Sequence, residues 1–334
     1  MNLYRCAVEH TRTVLPKKFP ALLTGSPQRH ALGAQQLLPY RQNWTPAERL
    51  GSNLSCRAQT SRRIVLSSSM DHTPPFTIVG KGRVGQALRE MGAGEDVLIG
   101  RGEPIVGPDG PIIVCTRNND LQGVVEATSP ERREDLVFIQ NGMLQPWLDS
   151  TGLGSNTQVL VYFAVAKLGD KPTDGKTDVN PEGLTAATGK HAQAVADRLA
   201  RGGLACKVLD RVAYQRAMLE KLIWICAFMV VGARHGCTVG EVESQHRDEV
   251  GDVIQELAAA GERELGIQLD PGCQERLNAY ARAVSHFPTA VKEFEWRNGW
   301  FYGISRRELD AGRADPCPTH TALLKEVRAL PGDA

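Results

Sequence analysis

Residues 76–88 read FTIVGKGRVGQAL, a short run rich in β-branched residues that passes into glycines at 80, 82 and 85 and then into a helical pattern. A G-x-G-x-x-G triplet alone carries little weight. Strand, triplet and helix in succession are the fingerprint of a dinucleotide site. Each glycine has its own physical reason. Gly80 permits the tight turn, Gly82 keeps a side chain out of the way of a pyrophosphate, and Gly85 lets the helix sit close on the strand. Arg83 and Val84 complete the loop and belong to the same candidate cofactor-binding set. The helix that follows offers unpaired backbone N–H groups and the positive end of its dipole to phosphate oxygens. The competing reading is a glycine-rich strand–helix turn in some other α/β protein.

Working outward, further strand candidates recur at 96–99, 111–115, 135–139 and 157–165, with helical patterns between several of them. That alternation predicts an α/β fold with a Rossmann-type parallel sheet. The interval between the second and third strands is too short for the usual helix. After Lys167 the chain is polar and turn-rich (GDKPTDGKTDVNPEG, 169–183), and from Leu184 it reads as helical, at 184–201, 211–234, 239–266, 272–287 and 319–329. The expected organisation is a leader over 1–70, a dinucleotide domain over 71–168, a linker over 169–180 and an all-helical domain over 181–334.

The second strand, DVLI at 96–99, runs into Gly100, Arg101 and Gly102. An NAD site usually ends this strand in Asp or Glu, which accepts hydrogen bonds from the ribose 2′-hydroxyl. A guanidinium there suits the 2′-phosphate of NADP instead. Arg117, just past the strand at 111–115, adds a second positive charge. The alternative for both is an ordinary surface arginine.

Residues 1–70 hold ten Lys or Arg against two acids, Glu9 and Glu48, with seven Ser and five Thr. Basic, hydroxyl-bearing and nearly acid-free is the composition of an organelle transit peptide. A chloroplast address is the first expectation and a mitochondrial one the second, and a tail with no targeting role is the alternative. Because the whole chain carries only +1, the remainder is net acidic, which argues against nucleic-acid binding through a basic surface. The eight cysteines, at 6, 56, 115, 206, 226, 237, 273 and 317, form no C-x-x-C and no His/Cys cluster at metal spacing, so neither a zinc site nor a disulfide framework is expected. The longest apolar run, at 222–233, is too short to span a bilayer.

That run, LIWICAFMVVGA, is apolar on every face and should lie buried. Lys221 stands at its start. A buried lysine loses hydration, its pKa falls, and it becomes able to transfer protons near neutrality. The alternative is a lysine that snorkels to solvent beside Glu220 or Glu241.

Together these pieces resemble the ketopantoate reductase family, within the wider group of NADP-dependent hydroxyacid dehydrogenases that join a Rossmann domain to a helical one resembling the C-terminal domain of 6-phosphogluconate dehydrogenase. The resemblance runs from residue 76 to 330. Beyond the glycine turn, Arg101 and Arg117, it rests on FIQNG at 138–142, MLEKL at 218–222, EFEWRNG at 293–299 and CPTHT at 317–321. It implies an oxidoreductase that uses NADP to transfer a hydride to a ketone or 2-oxo acid. Lys221 would donate the proton, Glu293 would join it, Asn141 would sit beside nicotinamide ribose and substrate, and Ser285 would take the substrate carboxylate. A small-molecule substrate and a homodimer are the implied partners, with no nucleic acid and no membrane.

The departures are on the substrate side. Where the family carries asparagines one and two helical turns after the lysine, this chain has Ile225 and Met229, and a third asparagine is replaced by Val239. The stretch from Ser285 to Glu293 is also a turn shorter. Each lost amide removes on the order of 1 kcal/mol of polar contact, so ketopantoate itself is not the expected substrate. Trp296, Trp300, Phe301 and Tyr302, with His286 nearby, suggest a larger or more aromatic ligand, or else an aromatic seam between helices. A non-catalytic NADP-binding sensor or interaction protein is the alternative function.

Overall fold

The computed structural model describes residues 74–332, so the expected leader over 1–70 lies outside the described residues. β1 (Thr77–Val79), α1 (Arg83–Glu90), β2 (Val97–Ile99), β3 (Ile112–Val114), α2 (Leu121–Ala127), β4 (Leu136–Phe138), α3 (Gln145–Ser150) and β5 (Thr157–Leu160) follow the expected alternation. Residues 100–111 contain no helix. The strands lie in the order β2-β1-β3-β4-β5, all parallel. β2 sits on one side of β1 and β3 to β5 on the other, so the strand order reverses at β1/β3, where ligands of open parallel sheets bind outside the carboxyl ends.

The sheet continues further than the sequence suggests. β6 (Ala186–Thr188) pairs antiparallel with β5, and β7 (Lys207–Val208) pairs parallel with β6, with α4 (Ala192–Arg201) between them. The helix expected over 184–201 therefore begins only at 192, and the boundary expected at 181 falls before the last two strands. Ala186 and Ala187 have high helix propensity, but both are fully buried, and packing on both faces overrides a weak local preference. Gly189, at φ +103°, ends β6 against the backbone of Thr157, which a Cβ would approach to 2.7 Å.

α5 (Arg211–His235) is the hub of the helical half. Asp210 starts it by accepting a hydrogen bond from Ala213 N at 2.8 Å, and Gly236, in the left-handed conformation, stops it. Its buried side chains, Leu219 to Val231 among them, meet α6 (Val239–Gln245), α7 (Arg247–Leu265), α8 (Cys273–Ala283) and α10 (Pro318–Glu326) in one core. The single helix expected over 239–266 is two. Thr238 and Glu241 form a reciprocal capping box at the start of α6, and the chain leaves helical geometry at His246 before α7 begins. α9 (Asn298–Asp310) was not anticipated, because Gly299, Gly303 and its aromatics give it weak intrinsic helix preference. It forms because Phe301 and Ile304 are buried in the α5 core. α10 starts under the carboxylate of Glu256 on α7, which accepts from the backbone N–H groups of Thr319 and His320, each at 3.0 Å.

Candidate active site

In a parallel sheet the residues that follow each strand lie along one edge. Here that edge carries the turn from Gly80 after β1, Arg101 after β2, Cys115 and Arg117 after β3, Asn141 after β4 and Val161 after β5. The glycine turn has the form its sequence requires. Gly80 has φ +120°, and a Cβ there would lie 2.8 Å from the Cys115 carbonyl oxygen. A Cβ on Gly85 would collide with the Gly80 carbonyl, whereas one on Gly82 meets nothing within 4 Å. α1 has no side-chain cap at Gly82, so its first N–H groups are open to an acceptor. This cradle fits a pyrophosphate.

The basic residues are distributed less simply. Arg101 is almost fully exposed, 3.7 Å from Asp120, and Arg117 is exposed at the head of the 3-10 turn Asn118–Asp120. Val84 packs against the β1 core. Arg83 reaches across the edge, donating to the Ala166 carbonyl at 2.7 Å. Glu103 also stands at the end of β2, accepting from Gly100 N and Lys81 Nζ, both at 2.6 Å. The Lys81 and Gly100 bonds hold its carboxyl below the usual range. A carboxylate here favours a ribose hydroxyl and opposes a 2′-phosphate, a feature the reading of Arg101 overlooked.

Asn141 is held from below. Its carbonyl accepts from the Asn118 side chain at 3.0 Å, while the Gln140 amide donates to the Val114 and Thr116 carbonyls at 2.7 and 3.1 Å. Asn118 and Gln140, adjacent to residues already singled out, thus fix the ends of β3 and β4. Gly142, at φ +118°, leaves room for the Trp296 carbonyl, which also accepts from Met143 N at 2.7 Å. The segment 293–297 of the helical half therefore sits directly on the Asn141 turn. Trp296 is edge-on to Trp147, which is edge-on to Phe138, at 6.0 and 5.8 Å.

Lys221 is 5 % exposed, so it does not snorkel. Its ammonium donates to the Val161 carbonyl and lies 4.4 Å from the centre of the Tyr162 ring. Glu220, its once-plausible partner, pairs with Arg276 instead, and Glu241 is used in the α6 cap. Burial, and then the charge of Arg297, push the Lys221 pKa down to about 7. A desolvated ammonium facing the carboxyl edge of the sheet is a group that can give and recover a proton at neutral pH.

Glu293 does not join Lys221 among the described interactions. It pairs with Arg297, four residues on, and has φ 48° and ψ 52°, a left-handed conformation that is costly for a residue other than glycine. Ser285 is exposed. α8 ends before it, and its carbonyl accepts from Gly240 N at 2.9 Å, tying it to the start of α6. No contact of Ser285 with Lys221, Asn141 or Glu293 is found among the described interactions. The aromatic segment divides: Phe301 is core, Trp300 and Tyr302 pack against that core, and Trp296 closes over β4. His286 is exposed, edge-on to Phe287.

Away from this edge, His235, His246 and Glu249 bring their ligand atoms within 4.8 Å of one another, a grouping that linear spacing hides. The two imidazoles stack at 3.6 Å with an interplanar angle of 11°. Near-parallel rings share no point in both planes at bonding distance, as ligation by both would need, and Glu249 is engaged by Arg234 and His235. Among the described residues no helix is long and apolar enough to cross a membrane.

No protein-family model and no curated protein matches this sequence. Solved structures do. A PanE/ApbA family ketopantoate reductase from Ralstonia eutropha JMP134 is similar with a TM-score of 0.57 and 19 % identity, over 77 % of this chain and 98 % of that one. The chain has the ketopantoate reductase fold. A D-mandelate dehydrogenase in complex with NADH is similar with a TM-score of 0.57 and 17 % identity, again over 77 % and 98 %. A ketopantoate reductase from Staphylococcus aureus, described as dimeric, is similar with a TM-score of 0.53 and 18 % identity over the same shares. All these similarities are of fold.

Proposed function

We propose that this chain is an NADP-dependent oxidoreductase that reduces a ketone or 2-oxo acid other than ketopantoate, with Lys221 as proton donor. The observation that carries the reading is Lys221 itself, buried, turned inward and poised near neutrality at the carboxyl edge of a sheet that also bears a phosphate-fitting glycine turn. A reduced nicotinamide would supply the hydride. The protein's own part is to hold Lys221 against Val161 and Tyr162, present its proton to the substrate carbonyl oxygen, and stabilise the charge that develops there. Asn141, fixed by Asn118 and Gln140, would position the reactants. Exposed Arg101 and Arg117 support NADP and Glu103 opposes it.

Similar folds include a reductase of a 2-oxo acid and a dehydrogenase of the aromatic hydroxy acid mandelate, which supports this reaction class. The dimer described for the Staphylococcus protein supports a homodimer. The basic residues 1–70 support an organellar address, chloroplast before mitochondrion, which a fluorescent fusion of that segment would test.

A second reading, a non-catalytic NADP sensor, draws on the amides missing at Ile225, Met229 and Val239. NADPH titration and NADPH oxidation on Lys221→Met separate the two. The enzyme reading expects unchanged NADPH affinity and turnover reduced roughly 10²–10⁴-fold. Unchanged turnover would defeat it. Oxidation of NADPH by the native chain with 2-dehydropantoate would overturn the exclusion of ketopantoate.

A further inference from the structure

A half-buried guanidinium that the sequence did not single out stands at the same edge. Arg297 ends the segment 293–297, whose Trp296 carbonyl receives the Met143 N–H beside Asn141. Its side chain is 16 % exposed, and its one ion-pair partner among the described residues is Glu293, through Nη2. Its Nε is buried with no hydrogen-bond acceptor. Buried donors are almost always satisfied, so an orphan of this strength calls for a partner. The guanidinium fork matches a carboxylate in geometry as well as charge.

Its surroundings indicate what that partner is. The positive charge of Arg297 is felt at both Lys221 and Cys226 on α5, which sets it against the stretch of helix that carries Ile225. Two cations, Arg297 and Lys221, thus act on one another at this edge, and the carboxylate of Glu293 is paired with Arg297. A bound anion would relieve that repulsion. Ile225 and Met229 offer no polar contact on the same helix, and the left-handed backbone of Glu293 holds the segment at a conformational cost.

We infer that Arg297 anchors the carboxylate of a 2-oxo acid with an apolar side chain, in place of amides that this pocket lacks. The inference rests on the oxidoreductase reading and adds its substrate class. On that inference the keto oxygen is the group Lys221 protonates, and the apolar substituent falls to the α5 face that carries Ile225 and Met229, one and two turns on from Lys221.

The test uses the full-length chain with NADPH and offers pyruvate, 2-oxoisovalerate and phenylglyoxylate, each beside its methyl ester. Oxamate binding to the NADP+ complex, read by tryptophan fluorescence, reports anion binding without chemistry. Acids should exceed their esters in kcat/KM by about 100-fold, as expected where a charged partner is left buried and unmatched. Arg297→Met should weaken oxamate by about 100-fold and abolish the acid preference while NADPH affinity stays. Arg297→Lys should recover part of it. Because Arg297→Met strands Glu293, the double variant Glu293→Gln/Arg297→Met removes both charges and keeps the test valid if the single variant unfolds. Equal treatment of acid and ester, or undiminished oxamate affinity in the variants, overturns the inference. Tight NADPH binding without oxamate binding sinks the anchor alone, whereas absence of NADPH binding sinks the oxidoreductase reading beneath it.

Discussion

Burial strips an ammonium of its hydration, and at Lys221 only a backbone carbonyl and the face of Tyr162 replace what water supplied. The neutral form gains accordingly, and the like charge of Arg297 adds to the effect, giving a pKa of about 7. A proton donor acts only while protonated. In the reducing direction kcat/KM should be level below pH 7 and fall tenfold per unit above it, and Arg297→Met should move that limb to higher pH. A pH–rate profile without a limb within about one unit of that value would remove Lys221 from the proton step. Glu103 provides a second residue-scale prediction. Glu103→Gln removes the one carboxylate at the end of β2 that opposes a 2′-phosphate, while its amide can still accept from Gly100 N. The ratio of kcat/KM for NADPH over NADH should rise by about tenfold. An unchanged ratio would place the 2′-position elsewhere.

At the scale of elements, the opposite end of the sheet is held by one buried ion pair. Arg198 on α4 meets Asp96, just before β2, at 2.5 and 3.0 Å, and both side chains are 1 % exposed. Asp96 also accepts from Phe76 N at 2.7 Å, and the guanidinium lies 3.9 Å over the Phe76 ring. α4, β1 and β2 are thereby fixed to one another although 102 residues separate the two charges. Removing one partner of such a pair strands the other. Arg198→Met should cost about 3–5 kcal/mol in urea unfolding, and the double variant with Asp96→Asn should recover a good part of it. Equal losses in single and double variants would show that the packing of Arg198, and not its charge, secures the edge.

For the whole molecule, acid stability turns on a histidine of α10. His320 is fully buried between α9 and α10, 2.9 Å from the Asn298 side chain. Desolvation lowers its pKa to about 4, against a smaller opposing effect of Asp315. Because the folded value lies below the unfolded one, the unfolded chain binds the extra proton first. Stability from this group is complete above about pH 6.5 and is lost as the pH falls through 4, by on the order of 3 kcal/mol. His320→Gln should flatten unfolding free energy over that window. A curve as steep as that of the native chain would assign acid sensitivity to another group. Asp135 acts only at lower pH: burial pushes its carboxyl up, but bonds from Lys190, Arg132 and His191 outweigh this and hold it at about 2.

Local physics was enough for much of this protein. The turn at 80–85, the first five strands and the buried α5 were legible because glycine geometry, β-branched runs and an apolar helix face depend on neighbours in sequence. Lys221 was legible for the same reason, as a charge at the mouth of an apolar helix. The other features depend on distant partners. β6 is a strand because it is buried on both faces against a weak helical preference, and α9 is a helix because Phe301 finds the α5 core. Glu293 meets Arg297 and not Lys221, Ser285 is tied to α6, and Glu103 faces Lys81. Linear order carries no record of which charge is desolvated beside which. Tertiary packing alone placed Arg297 and Lys221 along one edge, and a low-dielectric interior makes that neighbourhood matter.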